Sequence, residues 1–131
     1  MVILSKSKYL IGLQCPKHLW ILFHELEKIP EVDKATQYRF DQGNLVGELA
    51  KSIYPNSINI PTGDLNENIE QTKEFLKKRI PLFEAAFSIE NLYSRADILN
   101  PVGKDEWDII EVKSSTEVKD YHIQDVSFQK Y

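Results

Sequence analysis

The sequence predicts an α/β domain with helices around a small mixed β-sheet, and three observations carry that expectation. Leu92–Leu99 and Trp107–Val112 are apolar-rich runs either side of the turn-prone Asn100-Pro101-Val102-Gly103-Lys104-Asp105, which reads as a β-hairpin. Trp107 and Ile109 share one face of the second run and Ile110 and Val112 the other, so that strand is expected to be covered on both sides. Leu65, Ile69, Thr72, Leu76 and Ile80 recur at helical spacing, as do Val46, Leu49, Ala50 and Ile53. At 131 residues one domain is expected, with a helical part over 1–55 and the sheet, hairpin and a following helix over 56–131.

Taken in order, Ser5 is placed to cap a short helix running through Leu13, with Tyr9, Leu10 and Leu13 as its apolar stripe. Cys15-Pro16 breaks the chain, and Pro16 suits the first turn of a second helix containing Leu19, Trp20, Leu22 and Phe23. Glu25–Lys34 is a polar connector, and Pro30 rules out continuous helix across it. A long helix is expected from about Ala35 to Ile53, stopped by Pro55. Gly43 and Gly47 inside it each cost roughly 1 kcal/mol relative to alanine, so their spacing points to close approach of another backbone. Ser57–Ile60 is a short strand and Thr62-Gly63-Asp64 a turn before the next helix. Lys77-Lys78-Arg79 closes that helix, where cations complement the macrodipole, a reading preferred to a DNA contact. Leu82–Ile89 is a strand leading into the hairpin. Ser114-Ser115-Thr116 and Glu117 offer a capping box for a last helix that carries His122, Val126 and Gln129 on one face.

Three charged residues in the hairpin carry the chemistry. Glu111 and Lys113 point the same way, and Asp97 joins them if the register pairs odd residues with odd, for example Asp97 opposite Ile109 or Glu111. Two carboxylates and an ammonium would then converge, and buried charges are costly unless paired or bound to metal. Such oxygen ligands suit Mg²⁺ or Mn²⁺, with the carbonyl of Val112 as a further donor. Lys113 would orient or deprotonate a water, or neutralise developing phosphoryl charge. The competing reading is an ordinary surface ion pair. Arg39 could reach a phosphate or simply be a surface arginine. His18 and His24, lone histidines on an apolar helix, are not taken as ligands.

Asp97 followed by Glu111-Val112-Lys113 after a hairpin resembles the signature of the PD-(D/E)XK nuclease superfamily. Arg95-Ala96-Asp97-Ile98-Leu99 and Glu111-Val112-Lys113-Ser114-Ser115-Thr116 resemble its RecB-like branch, which includes CRISPR-associated exonucleases. Leu4-Ser5-Lys6-Ser7, Cys15-Pro16-Lys17-His18-Leu19-Trp20 and Val126-Ser127-Phe128-Gln129-Lys130-Tyr131 agree with that branch, so the resemblance spans nearly the whole chain. It implies a restriction-endonuclease-like core and a Mg²⁺- or Mn²⁺-dependent hydrolase of DNA phosphodiesters. Asp97 and Glu111 would hold the metal, Lys113 would act on the water, and Gln129 would steady the site from the last helix, with Gln124 its rival. Arg39 and Arg95 are candidates for substrate contact. The branch has a metal-binding histidine four residues after a glycine in the long helix. Gly47 stands there in this chain, leaving neighbouring Glu48 as a substitute ligand or a solvated glutamate. An N-terminal cysteine of the branch can ligate an iron–sulfur cluster, but Cys15 is the only cysteine, a cluster usually takes four, and a small buried residue is the preferred reading. Branch members continue beyond the equivalent of Tyr131, which implies a missing C-terminal region or a protein partner.

Composition excludes little. The net charge of −4 advertises no polyanion partner, although a local basic stripe would suffice for DNA. No signal peptide or long apolar span is visible, so a cytoplasmic protein without a membrane partner is expected. The other reading from a different class is a catalytically inactive module with the same fold, used for nucleic-acid binding or assembly.

Overall fold

The structure, a computed structural model, describes residues 2–131. In chain order its elements are β1 (Leu4–Ser5), α1 (Lys6–Gln14), α2 (Pro16–His24), a 3₁₀ turn (Leu26–Lys28), α3 (Lys34–Lys51), β2 (Ile58–Asn59), α4 (Leu65–Leu76), β3 (Leu82–Ile89), β4 (Leu92–Val102), β5 (Glu106–Ile110) and α5 (Asp120–Lys130). The sheet is mixed. β3 lies antiparallel along one edge of β4, with β2 parallel to β3 beyond it. The other edge of β4 is shared, its start pairing parallel with β1 and its end antiparallel with β5. The helical first third of the chain therefore contributes a strand, and the expected division at residue 55 does not separate helices from sheet.

Local chemistry accounts for most boundaries. The hydroxyl of Ser5 accepts the Lys8 N–H at 3.4 Å and the carboxylate of Asp33 accepts that of Thr36 at 2.7 Å, each satisfying an orphan donor of a first turn. Pro16 begins α2 as expected, with Cys15 at its N-cap, so Cys15 is exposed rather than buried. β4 runs on through Pro101, which the sequence assigned to the turn. Beyond Leu99 it pairs only with β5, so a residue lacking an N–H costs nothing on the β3 side. The turn narrows to Gly103-Lys104-Asp105, where Gly103 takes φ +54°. α5 starts at Asp120, not at the expected capping box. Ser115 instead bonds within its own loop, and His122 Nδ1 accepts the Lys119 N–H at 3.1 Å.

The core lies between α4 and the sheet. Leu82, Ala85 and Leu99 are at most 4 % exposed and pack against Phe75, Leu76, Ile80, Trp107 and Ile109. Buried Thr72 of α4 accepts the Ala86 N–H at 2.9 Å and so fastens helix to strand. Arg79 is neither a dipole complement nor a free cation. It turns back at φ +53°, donates to the carbonyls of Glu106, Val102 and Gly103 at 3.0–3.1 Å, and lies 4.8 Å from the Trp107 ring centre. Arg79→Ala is expected to cost about 2 kcal/mol by urea unfolding, because it releases three charge-assisted bonds at the hairpin tip. A loss below 0.5 kcal/mol, roughly what an ordinary surface substitution costs, would show that Arg79 does not clamp the tip.

The close helix approach is not at Gly43 and Gly47 but at Gly12, where a Cβ would meet Leu19 of α2 at 2.7 Å. A Cβ at Gly43 or Gly47 would meet nothing within 4 Å. The expected apolar face of α3 is also largely solvated, with Leu49 and Ile53 both exposed. Among the described residues no helix is long and apolar enough to cross a membrane.

Candidate functional site

The register of the hairpin brings the two expected carboxylates together. Ile98 pairs with Ile110 and Leu99 with Ile109, and continuing by one residue sets Asp97 level with Glu111. Pairing odd with odd was the condition for a shared face. β5 ends at Ile110, so the Val112 N–H leaves the ladder and is donated to Asp97 Oδ2 at 2.8 Å.

Two helices complete the surroundings. α1 packs beside α5, with the Tyr9 and Phe128 rings 4.9 Å apart, and this delivers Lys6 from one helix and Asp125 and Gln129 from the other. Glu111 Oε1 accepts from Lys6 Nζ at 2.9 Å and Lys113 Nζ at 2.8 Å, while its Oε2 accepts from Gln129 Nε2 at 2.8 Å. Asp125 Oδ2 accepts from Lys113 at 2.7 Å and its Oδ1 from Gln129 at 3.0 Å, while Lys6 Nζ forms an ion pair with Oδ1 at 3.2 Å. The side chains of Glu111 and Asp125 are only 5 % and 2 % exposed. Gln124 is exposed and makes none of these contacts, so the structure brings Gln129 rather than its rival to the site.

The electrostatics follow from this wiring. Burial, and then the charge of Glu111, push the Asp97 carboxyl up to about 6, against the Val112 N–H and the charges of Lys6 and Lys113. Burial alone opposes the ammonium of Lys113, but hydrogen bonds to Asp125 and Glu111 and their charges outweigh it and hold Lys113 above the usual lysine range. Burial likewise pushes Asp125 up, yet its bond to Lys113 and the two lysine charges hold it below the usual carboxylate range.

A cleft of about 400 Å³ opens in front of this cluster, between the hairpin end and α3. Gly43, Gly47 and Glu48 line the helix side, and Asp97, Val112 and Lys113 the sheet side. Glu48 therefore borders the cleft, although its side chain is 72 % exposed and paired with Lys51 at 3.1 Å. Glu84 lines it too. By register Glu84 falls level with Asp97, and its φ of +59° absorbs a slip in the strand's alternation, since Leu82 and Ala85 reach the same core. A non-glycine residue there stores strain on the order of 1–3 kcal/mol. Arg95 is turned inward, donating to the Ile60 carbonyl at 2.9 Å with Glu84 Oε2 3.5 Å from its Nε. Arg39 bonds Thr36 within α3 and does not line the cleft. Neither arginine stands free for a substrate at the carboxylates. His18 and His24 are exposed on α2.

Lys6, Glu84 and Asp125 are the residues that sequence reasoning passed over. Glu84 interrupts the apolar run of β3 as Asp97 and Glu111 interrupt theirs, and Asp125 falls on the same helical face as His122 and Gln129, so both carried a legible signal. Lys6 carried none, because only the fold brings α1 to the hairpin.

Among the described residues no three carboxylate, histidine or cysteine side chains gather closely enough to form a metal-holding group. The donors nearest that role are Asp97, Glu111 and the Val112 carbonyl. They are hard oxygens of the kind Mg²⁺ and Mn²⁺ prefer, and two carboxylates with waters suffice for such ions. The single cysteine, Cys15, cannot by itself supply the four ligands of a cluster. No family model, no curated protein and no solved structure matches the chain. The chemistry of the cleft rests on its own residues.

Proposed function

We propose that the cleft hydrolyses DNA phosphodiester bonds with the help of Mg²⁺ or Mn²⁺, as a RecB-like member of the PD-(D/E)XK nucleases. The observation that carries this reading is the shared level of Asp97 and Glu111, with the Asp97 carboxyl pushed up by burial and then by the charge of Glu111, at the mouth of a cleft that also presents Lys113. Asp97, Glu111 and the Val112 carbonyl would hold the ion, with Glu84 on the neighbouring strand or Glu48 across the cleft within the same cavity. The ion supplies Lewis acidity and lowers the pKa of a bound water. Lys113, pinned between two carboxylates, stays an ammonium, so its part is to donate to phosphoryl oxygen or to water rather than to take a proton. Gln129 holds Glu111 Oε2 and fixes the orientation of that carboxylate.

A second reading is favoured by the same wiring. Both oxygens of Glu111 already have protein partners, and Lys6 gives it a cation of its own, which suits a nuclease-fold module that binds nucleic acid or a protein without chemistry. Mn²⁺ titration of the wild type, Asp97→Asn and Glu111→Gln, with folding checked by circular dichroism, separates the two. Specific binding lost in both variants, together with cleavage of linear or single-stranded DNA, supports the hydrolase. Binding that neither substitution alters sinks it.

A further inference from the structure

We propose that Asp125 and Lys6 are positioning residues that aim one N–H of Lys113 into the cleft, an inference that rests on the hydrolase reading for its catalytic meaning. The two lysines share Glu111 Oε1 and Asp125 but are not equivalent. Lys6 Nζ donates to Glu111 Oε1 at 2.9 Å and to the Arg95 carbonyl at 3.2 Å, and it forms an ion pair with Asp125 Oδ1 at 3.2 Å. Its side chain is 16 % exposed and does not line the cleft. Lys113 Nζ has two acceptors, Glu111 Oε1 at 2.8 Å and Asp125 Oδ2 at 2.7 Å, and no third among the described residues. Its side chain is 33 % exposed and lines the cleft beside Asp97.

Two fixed donors on a tetrahedral nitrogen determine the direction of the third. Asp125 is what makes the arrangement rigid. Glu111 alone would leave the Lys113 ammonium free to swing about one contact, whereas Asp125, 1 % exposed and held in turn by Gln129 and Lys6, closes a ring of two acids and two ammonium groups. Lys6 supplies the second positive charge. It sits against both Asp125 and Glu111 from the α1 side, away from the cleft, so the third donor of Lys113 remains for a phosphoryl oxygen or the attacking water.

The test reads ammonium proton exchange by ¹⁵N NMR in metal-free wild type and Asp125→Asn, with Lys113 assigned by Lys113→Met. It is joined by DNA cleavage kinetics in Mn²⁺ for wild type, Asp125→Asn and Asp125→Glu. The wild-type Lys113 ammonium is expected to exchange more slowly than the surface groups of Lys73 and Lys77. Asp125→Asn removes that protection and lowers kcat about 10- to 100-fold with little change in KM, and Asp125→Glu restores part of both. A wild-type Lys113 that exchanges as fast as Lys73 overturns the proposal, whether or not Asp125→Asn folds. So does a folded Asp125→Asn with unprotected Lys113 and full kcat. Exchange needs no turnover, so a wild type that cleaves no DNA removes the hydrolase reading and leaves the positioning of Lys113 decided by exchange alone.

Discussion

Glu111→Ala is expected to destabilise the metal-free protein by about 3–5 kcal/mol, the largest single effect at the cleft. Glu111 is the hub of the charge network, and its carboxylate is nearly enclosed, at 5 % side-chain exposure. Truncating it leaves Asp125 as the only carboxylate directly paired with Lys6 Nζ and Lys113 Nζ, with Lys6 keeping its bond to the Arg95 carbonyl, and Gln129 Nε2 loses its 2.8 Å bond to Glu111. Two ammonium groups held against a single carboxylate out of full contact with water are costly, because the attraction that offset their desolvation has been halved. The exposed pairs Lys73–Glu70 and Lys77–Glu74 are a built-in comparison. Breaking either costs at most about 1 kcal/mol, and that loss fades with salt, whereas the cost at Glu111 does not. Urea unfolding at low and high ionic strength checks both statements. A cost under 1 kcal/mol for Glu111→Ala would mean that the lysines re-pair without penalty and that the network is loose.

The same residues show how far a sequence can be read. β3 was legible to its ends, and the hairpin and the helix starts at Lys6 and Pro16 followed from alternation and turn chemistry. These are local rules, satisfied within a few residues. The shared face of Asp97 and Glu111 was legible only as a condition on the register, which the folded hairpin meets. β1 was not legible, because two residues carry no periodicity and its pairing with Leu92 and Tyr93 is a contact across most of the chain. Lys6 was missed for the same reason. The role given to Gly43 and Gly47 failed differently. A glycine pair signals that something comes close, and here the open side is the cleft rather than another part of the protein. Arg95 was read as a candidate for substrate contact and Arg79 as a helix-end cation, yet both are spent on carbonyl oxygens that only the folded chain assembles.

Asp97→Asn is expected to act in the opposite direction from Glu111→Ala, stabilising the metal-free protein by up to about 3 kcal/mol at pH 7.5. The folded carboxyl keeps its proton to about pH 6, whereas a freely solvated one releases it near 3.8. Between those values the folded state binds more protons than the unfolded state, so the contribution of Asp97 to stability falls as pH rises through the interval. Above about pH 6 the full penalty of an enclosed carboxylate beside Glu111 is present, and below about pH 4 it is absent. Asparagine has no charge to lose, and its side-chain oxygen can still accept the Val112 N–H. Its advantage should therefore be greatest at neutral pH, shrink below pH 6 and vanish near pH 4, as measured by urea unfolding across that range. Divalent cations then give the sign of the cleft's purpose. If Mn²⁺ is held by Asp97 and Glu111, saturating ion turns the wild type's penalty into a binding gain that Asp97→Asn cannot share, and the stability order at pH 7.5 reverses. An order that stays the same in Mn²⁺ would leave the carboxylate pair as a strained ion-pair site with no cation to serve.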